Sequence, residues 1–164
     1  MGSDSNERFP VPIRPATAVD IEALRRLFRE YASTLAIDLC FQNFEQELSS
    51  LPGKYAPPHG GLWLAGAGPD AAGCIALRPM EPGICEVKRL YVRPSFRRSG
   101  IGRELVRVAL TEATRIGYNR VRLDTLREMK AAVALYQGMG FRETAPYRDG
   151  EPQGICYFER RLDR

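Results

Sequence analysis

The chain has 164 residues, 44% hydrophobic and 27% charged, a balance that suits one soluble domain with a real core and excludes a disordered or fibrous chain. No apolar run approaches the ~20 residues of a membrane span. The polar start MGSDSNERF also lacks the apolar stretch of a signal peptide, so a cytoplasmic protein without a membrane partner is expected. A net charge of +4 with dispersed basic residues suits an anionic ligand but not a nucleic acid.

Residues 1–8 read as a mobile tail and 9–164 as the domain. Val11 to Arg14 can make a short edge strand, where Pro12 is tolerated. Thr17 and Asp20 form a capping pair for a helix that aligns Ile21, Leu24, Leu27, Phe28, Tyr31 and Leu35 on one face. A second helix, Phe41 to Leu51, stops at Pro52-Gly53. Leu62 to Ala65 and Gly73 to Leu77 read as strands joined by a turn around Gly68-Pro69-Asp70. Past the Glu81-Pro82-Gly83 turn, Cys85 to Val92 is a longer strand terminated by Pro94. An amphipathic helix then runs to about Ile116, with Gly117 as its stop. A strand at Val121 to Leu126, a short helix at Ala131 to Met139, and strands at Phe141 to Tyr147 and Ile155 to Leu162 complete the chain. The central strand–helix–strand crossover puts a parallel pair in an otherwise antiparallel sheet.

The sole histidine, His59, argues against Ser-His-Asp chemistry and against a histidine-rich metal site. Cys40, Cys74, Cys85 and Cys156 lack the close spacing of zinc ligands, and three of them lie in apolar runs where a buried thiol is ordinary packing. No metal is expected. The distinctive stretch is Arg97-Arg98-Ser99-Gly100-Ile101-Gly102, between the longer strand and the amphipathic helix. Two glycines allow close backbone approach, the first helical turn offers unpaired N–H groups, and arginines add positive charge, as a phosphate cradle requires. It is neither a Walker loop, which needs G-x-x-x-x-G-K-[ST], nor a dinucleotide fingerprint, since Leu105 stands where a third glycine would.

The order strand, Arg-x-x-Gly-x-Gly, helix, strand, then Ala134-Leu135-Tyr136-x-x-x-Gly140-Phe141, resembles the GCN5-related N-acetyltransferase (GNAT) superfamily. The motifs cover Cys85 to about Tyr147, and the element order extends the likeness over nearly the whole chain. The resemblance implies an α/β (α+β) single-domain acyl-CoA N-acyltransferase fold. Its central sheet would be mixed, mostly antiparallel, of about six to seven strands with a splayed parallel pair, flanked by about four helices. It also implies an acetyl-CoA-dependent acyltransferase that moves the acetyl group to a primary amine by direct attack in a ternary complex. A non-catalytic acyl-CoA-binding module, a protein or peptide acceptor, and a different acyl donor stay open as alternatives.

Carried over by motif position, the amides of Arg98, Ser99, Gly100, Ile101, Gly102 and Arg103 would bind the pyrophosphate of acetyl-CoA, and side chains of Arg97, Arg98 and Arg103 its phosphates. Leu90, Tyr91 and Val92 would offer backbone groups to the pantetheine arm, and an amide near Leu90 could polarise the thioester carbonyl. Tyr136 would protonate the departing thiolate. Glu86, fourteen positions before Gly100, would be the base, its pKa raised by burial; a salt bridge with Lys88 or Arg89 is the plain alternative, and Asp124 is a rival carboxylate. Met129 stands where many relatives carry an asparagine that touches the pantetheine. The acceptor pocket would draw on Tyr31, Thr34, Asp38, Phe41, Tyr147, Arg148 and the Gly150 to Gly154 loop, a mixture that would suit a small amine bearing a carboxylate. Edge strands and the C-terminal hairpin leave room for a homodimer.

Overall fold

A computed structural model describes residues 11–35 and 43–163; the expected tail, the start of the second helix at Phe41, and Asp38 and Cys40 lie outside them. Seven strands form one sheet: β1 (Ile13–Pro15), β2 (Gly61–Ala65), β3 (Gly73–Glu81), β4 (Ile84–Val92), β5 (Arg120–Leu126), β6 (Arg142–Thr144) and β7 (Ile155–Arg161). Their order is β1-β2-β3-β4-β5-β7-β6, antiparallel throughout except for β4 beside β5. Among the described residues four α-helices accompany it: α1 (Ile21–Ser33), α2 (Phe44–Ser50), α3 (Ile101–Ile116) and α4 (Lys130–Gly138). No helix of the described residues is long and apolar enough to cross a membrane.

Both faces of the sheet are covered, which explains why β2 and β3 read as unbroken apolar runs rather than alternating ones. Trp63, Ala65, Ile75 and Leu77 turn to a core closed by Leu105, Val106 and Ala109 of α3. Leu62, Leu64, Cys74 and Ala76 turn to the opposite core, built on Leu24, Leu27 and Phe28 of α1 and Phe44 and Leu48 of α2. The entry to α1 is fixed as the sequence predicts: the Thr17 N–H and hydroxyl both donate to Asp20 Oδ2, and Arg14 adds two bonds to the same carboxylate.

Strand β4 carries the geometry on which the site depends. It pairs in parallel with β5 only at Ile84–Arg120, Cys85–Val121 and Glu86–Arg122; beyond that the two strands part. In the same stretch β4 bulges against β3: Cys74 faces Tyr91 and Ala76 faces Lys88, so Ile75 alone opposes both Arg89 and Leu90. Arg89 takes a left-handed conformation, φ +59, at this bulge. Such a bulge bends its strand and sharpens the twist, which turns the end of β4 away from β5. A non-glycine residue held there needs compensation. Arg89 donates from Nε and from a terminal nitrogen to Glu47 of α2, both at 2.9 Å, and its guanidinium lies 5.4 Å from the Phe44 ring centre.

Two strands differ from expectation. β3 continues through Pro79 to Glu81, because a second irregularity in its pairing with β4 absorbs the proline. β6 stops at Thr144, ahead of Pro146, and Tyr147 and Arg148 leave the sheet to fold over β4.

The Arg89–Glu47 pair should be worth more than an exposed salt bridge, since the Glu47 side chain is only 15% exposed. Arg89→Met keeps the length but strands that carboxylate. We expect a loss of about 3 kcal/mol, seen in thermal unfolding as a Tm lower by roughly 6–12 °C. A change of a degree or less would show that the bulge stands without the pair.

Candidate active site

The glycine turn occupies the few residues between β4 and α3. After a single 3₁₀ turn at Pro94–Phe96, Arg98 (φ +63) and Gly100 (φ +85) both adopt left-handed backbone, which turns successive amides outward. Among the described residues, none of the six N–H groups from Arg98 to Arg103 donates a hydrogen bond; the first that does is Glu104 N–H, to Gly100 O at 3.1 Å. A Cβ added at Gly100 would meet nothing within 4 Å, so backbone conformation, not crowding by the protein, calls for glycine there. At Gly102 an added Cβ would make only ordinary contacts, to Leu135 and Val92, and the space above the turn is open.

The arginines divide. Arg97 folds back, donating from Nε to Val92 O at 3.0 Å with its guanidinium over the Tyr91 ring, while Arg98 and Arg103 stand exposed beside the turn. The Ser99 hydroxyl donates to Phe96 O and so braces the turn.

Where β4 and β5 part, a narrow cleft of about 40 Å³ opens, lined by Lys88, Leu90, Asp124, Met129 and Tyr136 among others. The sequence motifs therefore bring Leu90, Met129 and Tyr136 to one place. Tyr91 and Val92 continue β4 toward the glycine turn, their side chains packed into the opposite cores. Tyr136 reaches the cleft from α4, buried against Phe141 with ring centres 5.8 Å apart. Its hydroxyl has no hydrogen-bond partner among the described residues, and burial raises its pKa, so it remains a protonated donor.

Glu86 lies on the same face of β4 as Lys88, toward α1 and α2, and its side chain is 0% exposed. Oε1 accepts from Arg78 Nε at 2.9 Å and from Arg148, and Oε2 accepts from the Tyr147 hydroxyl at 2.7 Å. The expectation that burial would lift its pKa is overturned. Desolvation does push the carboxyl upward, but Lys88, the Arg148 hydrogen bond and Arg78 together outweigh it and hold Glu86 down to about 2. The plain alternative of a salt bridge with Lys88 or Arg89 is also corrected, because Arg78 and Arg148 take that place. Arg148 in turn bridges to Asp124 Oδ2 at 2.7 Å, and Lys88 Nζ stands 3.7 Å from Asp124 Oδ1.

Beside the cleft is a larger cavity of about 280 Å³, lined by Arg78, Lys88, Arg89, Arg148, Glu47, Asp149, Gly150 and Glu151. Of the residues expected to form the acceptor pocket, Arg148 and Gly150 line this cavity and Tyr31 lines the cleft. Tyr147 packs under Arg148, Thr34 is exposed at the end of α1, and Asp38 and Phe41 lie outside the described residues. Glu151 of the expected Gly150 to Gly154 loop lines the cavity too, whereas Arg78 and Glu47 were not expected there. Arg78 comes from the extension of β3, opposite Glu86 in register, and only the strand pairing reveals it.

The profile of the Acetyltransferase (GNAT) family matches residues 21–141. An uncharacterised N-acetyltransferase of Schizosaccharomyces pombe is 37% identical over 147 residues, 88% of this chain and 90% of its own. N-acetyltransferase family 8 member 2 of Rattus norvegicus is 35% identical over 108 residues, 63% of this chain but 48% of its own. In structure, a GNAT-family acetyltransferase from Staphylococcus aureus superposes with a TM-score of 0.78 at 19% identity, covering 93% of this chain and 99% of its own. The Salmonella typhimurium protein yncA, solved with acetyl-CoA, does so at 0.73 and 18% identity, covering 93% and 94%. A profile spanning α1 to the end of α4 and a relative alike over nearly the full length of both chains leave one conclusion: the chain belongs to the Acetyltransferase (GNAT) family of N-acetyltransferases.

Proposed function

We propose that this N-acetyltransferase moves the acetyl group of acetyl-CoA to the primary amine of a small molecule by direct attack in a ternary complex. The observation that carries the donor half is the run of six unpaired amides from Arg98 to Arg103, a few residues past the end of β4, whose Leu90 lines the cleft. Those amides and the α3 N-terminus favour a pyrophosphate, and exposed Arg98 and Arg103 add charge for the phosphates. Arg97 serves differently on this reading, bracing the end of β4 through Val92 O. The free backbone edge of β4 at Leu90, Tyr91 and Val92 receives the pantetheine arm as an added strand. A neighbour of this fold, yncA, was solved with acetyl-CoA, which supports the same donor here. The acceptor enters from the 280 Å³ cavity, whose size favours a small molecule over a folded protein.

In the reaction the amine nitrogen forms its bond to the acetyl carbon and the C–S bond breaks. Tyr136 donates its hydroxyl proton to the departing sulfur, a role open to a buried hydroxyl that stays protonated and is otherwise unbonded among the described residues. The amine must give up a proton, and Glu86 is poorly made to take it: its oxygens are occupied and its carboxylate is strongly stabilised as the anion. We assign that proton instead to Asp124, which lines the cleft beside Tyr136 and whose Oδ1 has Lys88 only at 3.7 Å. Glu86 then acts as a positioning residue that holds Arg78, Arg148 and Tyr147.

Thiol release from acetyl-CoA with a panel of primary amines tests the whole reading; no release with any amine, despite binding of acetyl-CoA, would refute it. Tyr136→Phe should lower kcat by about 10²-fold with little change in the KM for acetyl-CoA. Asp124→Asn should slow turnover mainly below the pKa of the amine, with recovery at high pH. Glu86→Gln should instead raise the KM for the acceptor and leave the shape of the pH–rate profile alone. If it is Glu86→Gln that removes the rising limb, the base assignment reverts to Glu86.

Stability gives an independent check on Glu86. A carboxyl whose pKa is depressed on folding contributes stability that is fully present above its ordinary value of 4.5 and is lost as pH falls toward about 2. Denaturant titrations of the wild type should therefore show stability falling across that window, and Glu86→Gln should be less stable at neutral pH with a flatter acid limb. Parallel acid limbs for the two proteins would contradict the depressed pKa.

A further inference from the structure

The cavity beside the cleft is lined by four cations, Arg78, Lys88, Arg89 and Arg148, and by three acids, Glu47, Asp149 and Glu151. Most of these charges already have partners. Arg89 is held by Glu47, and Arg78 and Arg148 are held by the buried Glu86. Lys88 is the exception. Its side chain is 4% exposed, its ion contact to Asp124 is long at 3.7 Å, and among the described residues its ammonium donates no hydrogen bond. Asp124 cannot satisfy it fully, because Oδ2 is committed to Arg148 at 2.7 Å. An ammonium has three donors, and burying them unused is costly. Lys88 also lines both spaces, the cleft with Tyr136 and the charged cavity with Arg148. No other charged side chain except Arg89 does so.

We propose that the acceptor amine also carries a carboxylate, and that Lys88, assisted by Arg148, binds that carboxylate at the junction of the cleft and the cavity. This rests on the small-amine reading above and names its substrate class: a compact amino acid or a close derivative, with nitrogen and carboxylate only a few atoms apart. The charges discriminate among the rivals. A simple amine leaves the donors of Lys88 unmet, and a polyamine brings further positive charge against four cations. A phosphate dianion must face Glu47, Asp149 and Glu151. A single carboxylate meets the one under-partnered cation, and the amine points toward Asp124 and Tyr136. Burial pulls the Lys88 ammonium below its ordinary pKa, with Asp124 and Glu86 offsetting this only in part, so a bound carboxylate would restore its preferred charge.

The test is thiol release from acetyl-CoA by the wild-type protein with matched sets: amino acids, their amides, and the corresponding decarboxylated amines. Calorimetric titration of the same compounds into the CoA-bound protein runs alongside. Acids should be preferred over amides in kcat/KM by about 10- to 100-fold, the loss expected for one charge-assisted hydrogen bond. Lys88→Met should erase that preference by raising the KM for acids while changing the KM for amides by less than about threefold, and Lys88→Arg should restore part of it. Turnover of amides or decarboxylated amines equal to that of acids overturns the carboxylate proposal and leaves the small-amine reading intact. An equal fall in kcat for every acceptor in Lys88→Met overturns it as well, since Lys88 would then act on the thioester. Neither thiol release nor binding with any compound, in a protein that binds acetyl-CoA, refutes both readings together.

Discussion

Parallel strands stay together only while each backbone group finds its partner, and β4 and β5 do so over three residue pairs before they separate. The separation leaves polar backbone of β4 without a neighbouring strand, which a folded protein tolerates only where something else can meet it. The bulge at Arg89 makes the break structural rather than accidental, since it bends β4 at the level where the pairing with β5 ends. The same residue that bends the strand reaches across to Glu47, so the position of α2 follows from the break. Cleft, cavity wall and helix start are consequences of one local departure from regular sheet.

The second constraint is electrostatic. A fully buried carboxylate on β4 must be charged and surrounded, or neutral and alone, and Glu86 takes the first course. To do so it draws Arg78 from the neighbouring strand and Tyr147 and Arg148 from the loop after β6. Removing β6 from the sheet at Thr144 is what frees that loop to reach β4. Glu86 thus holds these three side chains over β4 by the strength of its negative charge. That same strength makes it a poor proton acceptor.

The glycine turn was legible in the sequence because it is built from backbone. Gly100 and Gly102, the strand before them and the amphipathic helix after them occupy adjacent stretches of chain, and their geometry follows from local rules. The element order was legible for the same reason: Trp63 and Leu64, or Ile75 and Ala76, announce a buried strand wherever they fall in three dimensions. The charged cavity was legible only in Arg148 and the Gly150 to Gly154 loop. Arg78, Glu47, Lys88, Arg148 and Glu151 come from two strands, a helix and a loop, and no spacing rule connects them. The misjudged pKa of Glu86 has in part the same origin: burial and the nearby Lys88 could be read from its strand, but the two arginines that join Lys88 in outweighing burial are eight residues upstream on β3 and sixty-two residues downstream.

This asymmetry also bears on how such a site can change. The amides from Arg98 to Arg103 present the same N–H groups whatever their side chains, provided Gly100 keeps its left-handed turn, so the turn resists most substitutions. Around the cavity each contact is a side chain, and most charges are balanced by a particular neighbour. Substituting one member of the Glu86, Arg78 and Arg148 group would unbalance the others, since an unpaired buried charge costs more than the pair contributes. Lys88 stabilises Glu86 by its charge but lies outside that hydrogen-bonded group, lining both the cleft and the cavity with only a long contact to Asp124. On the proposed carboxylate role it is the cation that can turn to a ligand with the hydrogen-bonded group left in place, and the position at which acceptor preference would shift while the glycine turn stays as it is.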